Sequence, residues 1–167
     1  MRTALDAAPS VLDEHETKFV ACIREHGWFH TCVFQDESGP GFSYTTGFWL
    51  NVNFPELITF SLSQEIAHDT FWHIYRELKA GQSFAIRHPV ENVFEQLKAA
   101  FLPVSQQHFK DHLGWSRWFY GGDGFECVQL VWPDRDEKFP WQPGYSVSLA
   151  KAQPDLTEGG WSGLQCH

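Results

Sequence analysis

The chain has a single methionine, four cysteines with no C-x-x-C pair, and no apolar run long enough to cross a bilayer, for which about 18 residues are needed. No membrane is therefore expected as a partner. Clusters of Lys and Arg are missing too. Twelve basic residues stand against 21 acidic ones, for a net charge of −9. A phosphate backbone is held by gathered cations, so no nucleic acid is expected either. Met1 to Ser10 lacks the basic patch and apolar stretch of an export signal. The expected setting is the cytoplasm, with Cys22, Cys32, Cys127 and Cys166 as free thiols and Cys22 and Cys127 buried as small hydrophobes. There is no G-x-S-x-G elbow and no H-E-x-x-H pair, and no G-K-[ST] follows Gly121, Gly122 and Gly124. That glycine run reads as a turn.

What the chain has in abundance is aromatic side chains: 15 Phe and 8 Trp, within a composition 43% hydrophobic and only 20% charged. A chain of 167 residues buries roughly 70% of its unfolded surface and needs no metal or disulfide staple. The charge is uneven, at −5 over residues 1–60, zero over 61–120 and −4 over 121–167. An acidic exterior suits solubility or a basic partner.

Periodicity sets the expected elements. Residues 1–9 read as a flexible leader. Leu12, His15, Phe19, Cys22, Ile23 and His26 share one face of a helix over 11–26, ended by Gly27, with His15 and His26 as hydrogen-bonded core histidines. Trp28–Gln35 and Phe42–Trp49 read as strands joined by the turn Asp36 to Gly41. Leu57–Leu62, apolar on both faces, predicts a strand inside the sheet. Ser63 caps a helix whose stripe is Ile66, Thr70, Phe71, Ile74, Tyr75 and Leu78, ended by Gly81. A strand is expected over 82–88. Residues 94–104 fit helix and strand equally, 105–120 read as helix, and 125–132 as strand. Beyond Trp132, prolines leave an aromatic loop, and 149–167 reads as a mobile tail. The expectation is one α+β domain over 10–148, with an antiparallel or mixed β-sheet flanked by two or three helices.

Chemistry is harder to place. His108 and His112 stand at i, i+4, a spacing that lets two imidazoles share an ion, but no third ligand is evident, so no metal is expected. Tyr44, Thr45 and Thr46 precede Gly47 at a strand end, where hydroxyls and close backbone approach suit a ligand, or equally a satisfied sheet edge. Trp132-Pro133-Asp134 and Phe139-Pro140-Trp141 line a pocket or close the core. With Arg87, the candidate ligand-binding residues are thus Tyr44, Thr45, Thr46, Arg87, Trp132, Asp134 and Trp141, and no catalytic residue is assigned.

Several segments together carry a resemblance: His26-Gly27-Trp28, Gly41 to Phe48, Phe54-Pro55-Glu56-Leu57-Ile58, Phe119-Tyr120, Gln129 to Asp134 and Phe139-Pro140-Trp141. The ordered set, over about residues 20–146, resembles the bacterial family called domain of unknown function 4262. That resemblance implies a soluble bacterial protein and no reaction. The order from Phe42 through Pro55-Glu56-Leu57 to Gly81 and Phe84 is also similar to flavin reductase-like split barrels, which implies a split-barrel-like sheet. Two functions follow as expectations. One is a non-catalytic acidic binding protein without cofactor, such as an immunity protein that occludes a basic toxin. The other is a flavin or small-molecule binding protein or reductase using Tyr44, Thr45, Thr46 and Arg87, with Arg76 and Lys79 as further phosphate candidates.

Overall fold

The computed structural model describes residues 1–164; Cys166 and the end of the segment read as a tail lie outside them. Asp13 caps the first helix, α1 (Glu14–His26), by accepting from the Glu16 N–H at 2.8 Å, while the Glu16 carboxylate accepts from the Asp13 N–H at 2.9 Å. This reciprocal pair satisfies two orphan donors and starts the helix later than its apolar stripe suggests. Gly27 ends it at φ 90°, where any side chain would run into the Tyr75 ring. His15 and His26, expected in the core, are exposed. The buried face of α1 is narrower, made of Phe19, Val20 and Ile23.

Two strands follow as an antiparallel pair, β1 (Phe29–Val33) and β2 (Phe42–Thr46). A single turn, α2 (Phe48–Asn51), leads to β3 (Glu56–Phe60), and α3 (Gln64–Lys79) is capped by Ser63 as the sequence predicts. Then come β4 (Pro89–Val90), β5 (Ala99–Pro103), α4 (Phe109–His112), α5 (Gly114–Tyr120) and β6 (Cys127–Val131). The strands form one sheet in the order β1-β2-β3-β6-β5-β4, antiparallel except for the parallel pair β3–β6. Thr31, Tyr44, Ile58, Gln129 and Leu102 stand in register across five of the strands.

The fold is α+β with a mixed sheet, as expected, but the sheet is open, with β1 and β4 at its edges, and not a closed split barrel. Five α-helices are present among the described residues, because the single turn α2 replaces the end of an expected strand and the helix expected over 105–120 breaks at Leu113, whose ψ of 41° separates α4 from α5. No strand forms over 82–88. Gly81 and Arg87 both take positive φ, and only Pro89–Val90 form a strand beside β5. Segments near both ends of the described residues pack on the domain. Leu5 lies against the core beside α1 and its carbonyl accepts from Arg24 at 2.6 Å. The buried Gln153 and Leu156 lie against the sheet, and Gln129 holds the Pro154 and Leu156 backbone.

Strand alternation distributes the rings. Leu57, Phe101, Val128 and Leu130 face α3 through Phe71 and Ile74, while Tyr44, Ile58 and Phe60 face α1, α4 and α5 through Phe19, Phe109 and Phe119. A third cluster, Phe139 and Trp141 stacked at 4.9 Å over Ala100, Leu102 and Val131, closes one end of the sheet. Phe101 has no exposed surface and meets the edges of Phe54 and Phe84 at 5.8 and 5.6 Å. Phe101→Ala is expected to lower unfolding free energy by about 3–5 kcal/mol in urea melts. A loss below about 1 kcal/mol, the range of peripheral changes, would remove Phe101 from the core.

Candidate functional site

A lone acid opens the apolar strand β3, and its carboxylate is completely buried. The Glu56 Oε1 accepts from the Thr45 hydroxyl at 2.7 Å and the Phe48 N–H at 3.2 Å. Its Oε2 accepts from the Gly47 and Trp49 N–H groups at 3.0 and 3.1 Å and from the Tyr120 hydroxyl. Thr45 Oγ1 in turn accepts from the Leu57 N–H, and the Tyr120 oxygen from the Leu50 N–H, so the protons of both hydroxyls are directed at Glu56. Five donors and no acceptor surround the carboxylate, the environment of an ion. Burial pushes this carboxyl above its ordinary range, and the hydrogen bonds from Tyr120, Thr45 and the backbone pull against it. Burial, and then the adjoining Glu56 charge, pushes the Tyr120 phenol up, so it remains a donor. Gly47, at φ 119°, is where a Cβ would overlap the Gly27 carbonyl oxygen. The arrangement ties β2, α2, β3 and α5 together.

The seven residues nominated from sequence fall into three places. Tyr44, Thr45 and Thr46 are buried on β2. The Tyr44 hydroxyl accepts from the Trp115 N–H, and Thr46 donates to Ser116, which donates to the Thr45 carbonyl. Trp132, Asp134 and Trp141 belong to the chain leaving β6. Trp132 Nε1 donates to the Phe60 carbonyl at 2.9 Å. Asp134 accepts from the N–H groups of Lys138, Ser146 and Asp136, and these donors, Lys138 first, hold its carboxyl below the usual range. Arg87 is exposed beside Glu158, at 3.8 Å, and its N–H is bonded to Phe101 of β5. Three strand spacings, about 14 Å, separate β5 from β2. The structure therefore does not gather Arg87 with Tyr44, Thr45 and Thr46. His112 Nδ1 bonds the His108 carbonyl, and no three His, Cys, Asp or Glu groups stand at metal-binding range among the described residues.

Helix α3 has clefts on both flanks. Gln64, His68 and Trp72, four residues apart, line one flank, where a cleft of about 360 Å³ is shared with Cys22, Trp28 and His30. There the Nδ1 atoms of His30 and His68 approach to 3.4 Å, Trp28 stacks on His68, and His30 Nε2 is buried without a partner. Burial, and then His68, lowers the His30 pKa to about 4. On the opposite flank Ile66, placed by periodicity in the buried stripe, is 52% exposed. Beside it two adjoining clefts of about 620 and 700 Å³ share Phe94, Glu95, Gln96, Leu97 and Glu137. Trp132 and Pro133 continue the apolar floor, Glu91 adds to the acidic rim, and Lys98 and Arg135 are its basic members.

The family model described as Domain of unknown function (DUF4262) matches residues 22–146, most of the chain. The chain belongs to the DUF4262 family. No curated protein and no solved structure matches it. For this DUF4262 chain, sequence reasoning nominated Trp132, which lines the cleft beside Ile66, and did not nominate Glu56, His68, Glu95 or Glu137. Glu56 did leave a signal, because an acid in a strand apolar on both faces must be paired. His68 and Glu95 left none, since each reads as ordinary helix or loop surface.

Glu56→Gln is expected to cost about 1.5–3 kcal/mol in urea melts, because either amide orientation sets an NH2 against two or three donors. A variant as stable as the parent would show that the carboxyl is protonated. The depressed His30 pKa gives a second expectation. Between 6.5 and about 4 the unfolded chain binds a proton at His30 that the folded one does not. Stability therefore falls as pH is lowered through that window and His30 adds nothing further below it. His30→Leu should flatten this part of the profile, and an unchanged slope would refute it.

Proposed function

We propose that this DUF4262 chain is a non-catalytic binding protein that engages a basic protein partner, acting in a bacterial cytoplasm as a toxin-neutralising immunity protein. The observation that supports the reading is the trough beside α3. It joins an apolar floor of Ile66, Phe94, Leu97, Trp132 and Pro133 to an acidic rim of Glu91, Glu95 and Glu137. An exposed apolar patch edged by charge is the composition of a recognition surface, and a net charge of −9 steers a basic protein toward it. The hydroxyls and the carboxylate that sequence or burial would nominate for chemistry, those of Thr45, Thr46, Tyr120 and Glu56, are engaged internally. A flavin cradle of Tyr44, Thr45, Thr46 and Arg87 is not assembled, so the small-molecule alternative has less support.

Co-expression with basic toxins encoded beside its gene tests the reading. Growth should be rescued and a purified complex should form, weakening as salt rises. Ile66→Glu combined with Glu95→Lys and Glu137→Lys should reduce affinity by about a hundredfold or more. Unchanged affinity would move the interface elsewhere. If no neighbouring product binds, or if the purified protein shows a visible flavin band, the proposal fails.

A further inference from the structure

The two edges of the sheet are not alike. At one edge β4 is two residues long and starts with Pro89, which cannot donate to a ladder. Such brevity and proline are the usual defences of a sheet edge. At the other edge β1 has five residues, and nothing pairs with its outer side among the described residues. From Trp28 to Gln35 the chain reads Trp-Phe-His-Thr-Cys-Val-Phe-Gln, with no Lys, Arg, Asp, Glu or Pro. None of the charges or prolines that keep an edge strand single is present. Instead Val33 is 37% and Phe34 76% exposed, and Phe34 is the most exposed aromatic ring among the large apolar side chains in solvent.

The opposite end of the same strand holds a hollow. The cleft of about 360 Å³ beside Trp28 and Phe29 is walled by Trp72 and His68. An antiparallel neighbour laid along β1 brings its own C-terminal end against this N-terminal end. If the neighbour is a second copy, its Phe34 arrives beside the Trp28 cleft, and the two-fold axis repeats the contact reciprocally. Centred on Thr31, the pairing sets Phe29 opposite Val33 and His30 opposite Cys32, with no like charges facing. Such an isologous contact closes on itself, as point-group symmetry requires.

We propose that β1 is a self-association edge: two copies pair antiparallel through β1 into one continuous twelve-stranded sheet, each seating Phe34 in the aromatic cleft of the other. A basic partner is the less suitable occupant here, because no acid lies along the strand to select it; Asp36 and Glu37 lie beyond it, in the hairpin turn. The trough on the far flank of α3 stays free, so this edge is independent of the proposed partner surface. The opposing −9 charges weaken the dimer at low ionic strength, and salt strengthens it by screening them. That dependence is opposite in sign to the one expected for a basic partner.

Sedimentation equilibrium of the full chain, from micromolar to several hundred micromolar and at two salt concentrations, tests the proposal. A monomer–dimer equilibrium that tightens with salt is expected. Phe34→Glu should weaken it about tenfold or more. Val147→Glu, at a side chain 90% exposed elsewhere, should leave it unchanged. Hydrogen exchange of the amides of residues 29–33 should slow as concentration rises. A chain that stays monomeric throughout overturns the proposal. So does a dimer indifferent to Phe34→Glu, or one whose β1 amides exchange at the monomer's rate.

Discussion

A single buried carboxylate holds the centre of this protein together. Glu56 opens β3, yet its oxygens reach back to the end of β2, across the start of α2 and over to the last residue of α5. The three N–H groups of Gly47, Phe48 and Trp49 would otherwise be orphan donors at the head of a one-turn helix. In water they need no help, but Gly47 and Phe48 are buried here, and an unsatisfied donor at such a place costs as much as a lost hydrogen bond. The chain thus trades one expensive ion for the satisfaction of three backbone donors and two hydroxyls. The trade works only if Gly47 has no side chain and β3 begins where it does. These constraints tie Tyr44-Thr45-Thr46-Gly47 and Phe54-Pro55-Glu56-Leu57, two of the sequence segments that resemble the family, to one node.

The same node explains why polar motifs in the sequence mislead as to chemistry. Thr45, Thr46 and Tyr44 look like a ligand-facing edge because hydroxyls alternate ahead of a glycine. In the folded chain β2 lies between β1 and β3, with α3 packed on one face and α5 on the other, so each hydroxyl must find an internal partner. Asp134 behaves alike. It sits among aromatics and prolines where a pocket residue is expected, and its carboxylate organises the loop from Asp136 to Ser146. Buried polar groups are bonded as a rule, so a polar residue inside an aromatic-rich segment points first to a backbone that needs holding.

Elements with a strong period were legible and those without one were not. The helix α3 and the central strands β3 and β6 follow from their stripes and apolar runs. The break between α4 and α5 does not, because Phe109, Leu113, Ser116 and Tyr120 keep helical spacing across it, while the backbone turns at Leu113 to bring Ser116 and Tyr120 onto β2 and Glu56. The missing strand over 82–88 is similar. Its apolar residues Phe84 and Ile86 pack on the α3 side of the core, and beyond the Arg87 N–H bond to the Phe101 carbonyl only Pro89–Val90 pair with β5. Surface sites were least legible, because they depend on which flank of α3 meets which loop. Ile66 fits the buried stripe by periodicity, yet it lines a cleft with Phe94, Leu97 and Trp132 and is half exposed.

The division of the surface follows from where the rings are needed. With 16% aromatic residues, two interior layers and the Phe139–Trp141 lid absorb most of them, and those left over concentrate at the flanks of one helix and at one strand end. Along β1 these rings meet no charge, whereas in the trough they meet Glu91, Glu95 and Glu137. Apolar contact gives affinity at both places, and charge is what makes them select differently. On the proposed reading, the uncharged strand suits a copy of itself, which an acidic strand would repel, and the acid-rimmed trough suits a basic chain instead. Because α3 separates them, occupation of one would leave the other open, and the two proposed contacts differ in the sign of their response to salt.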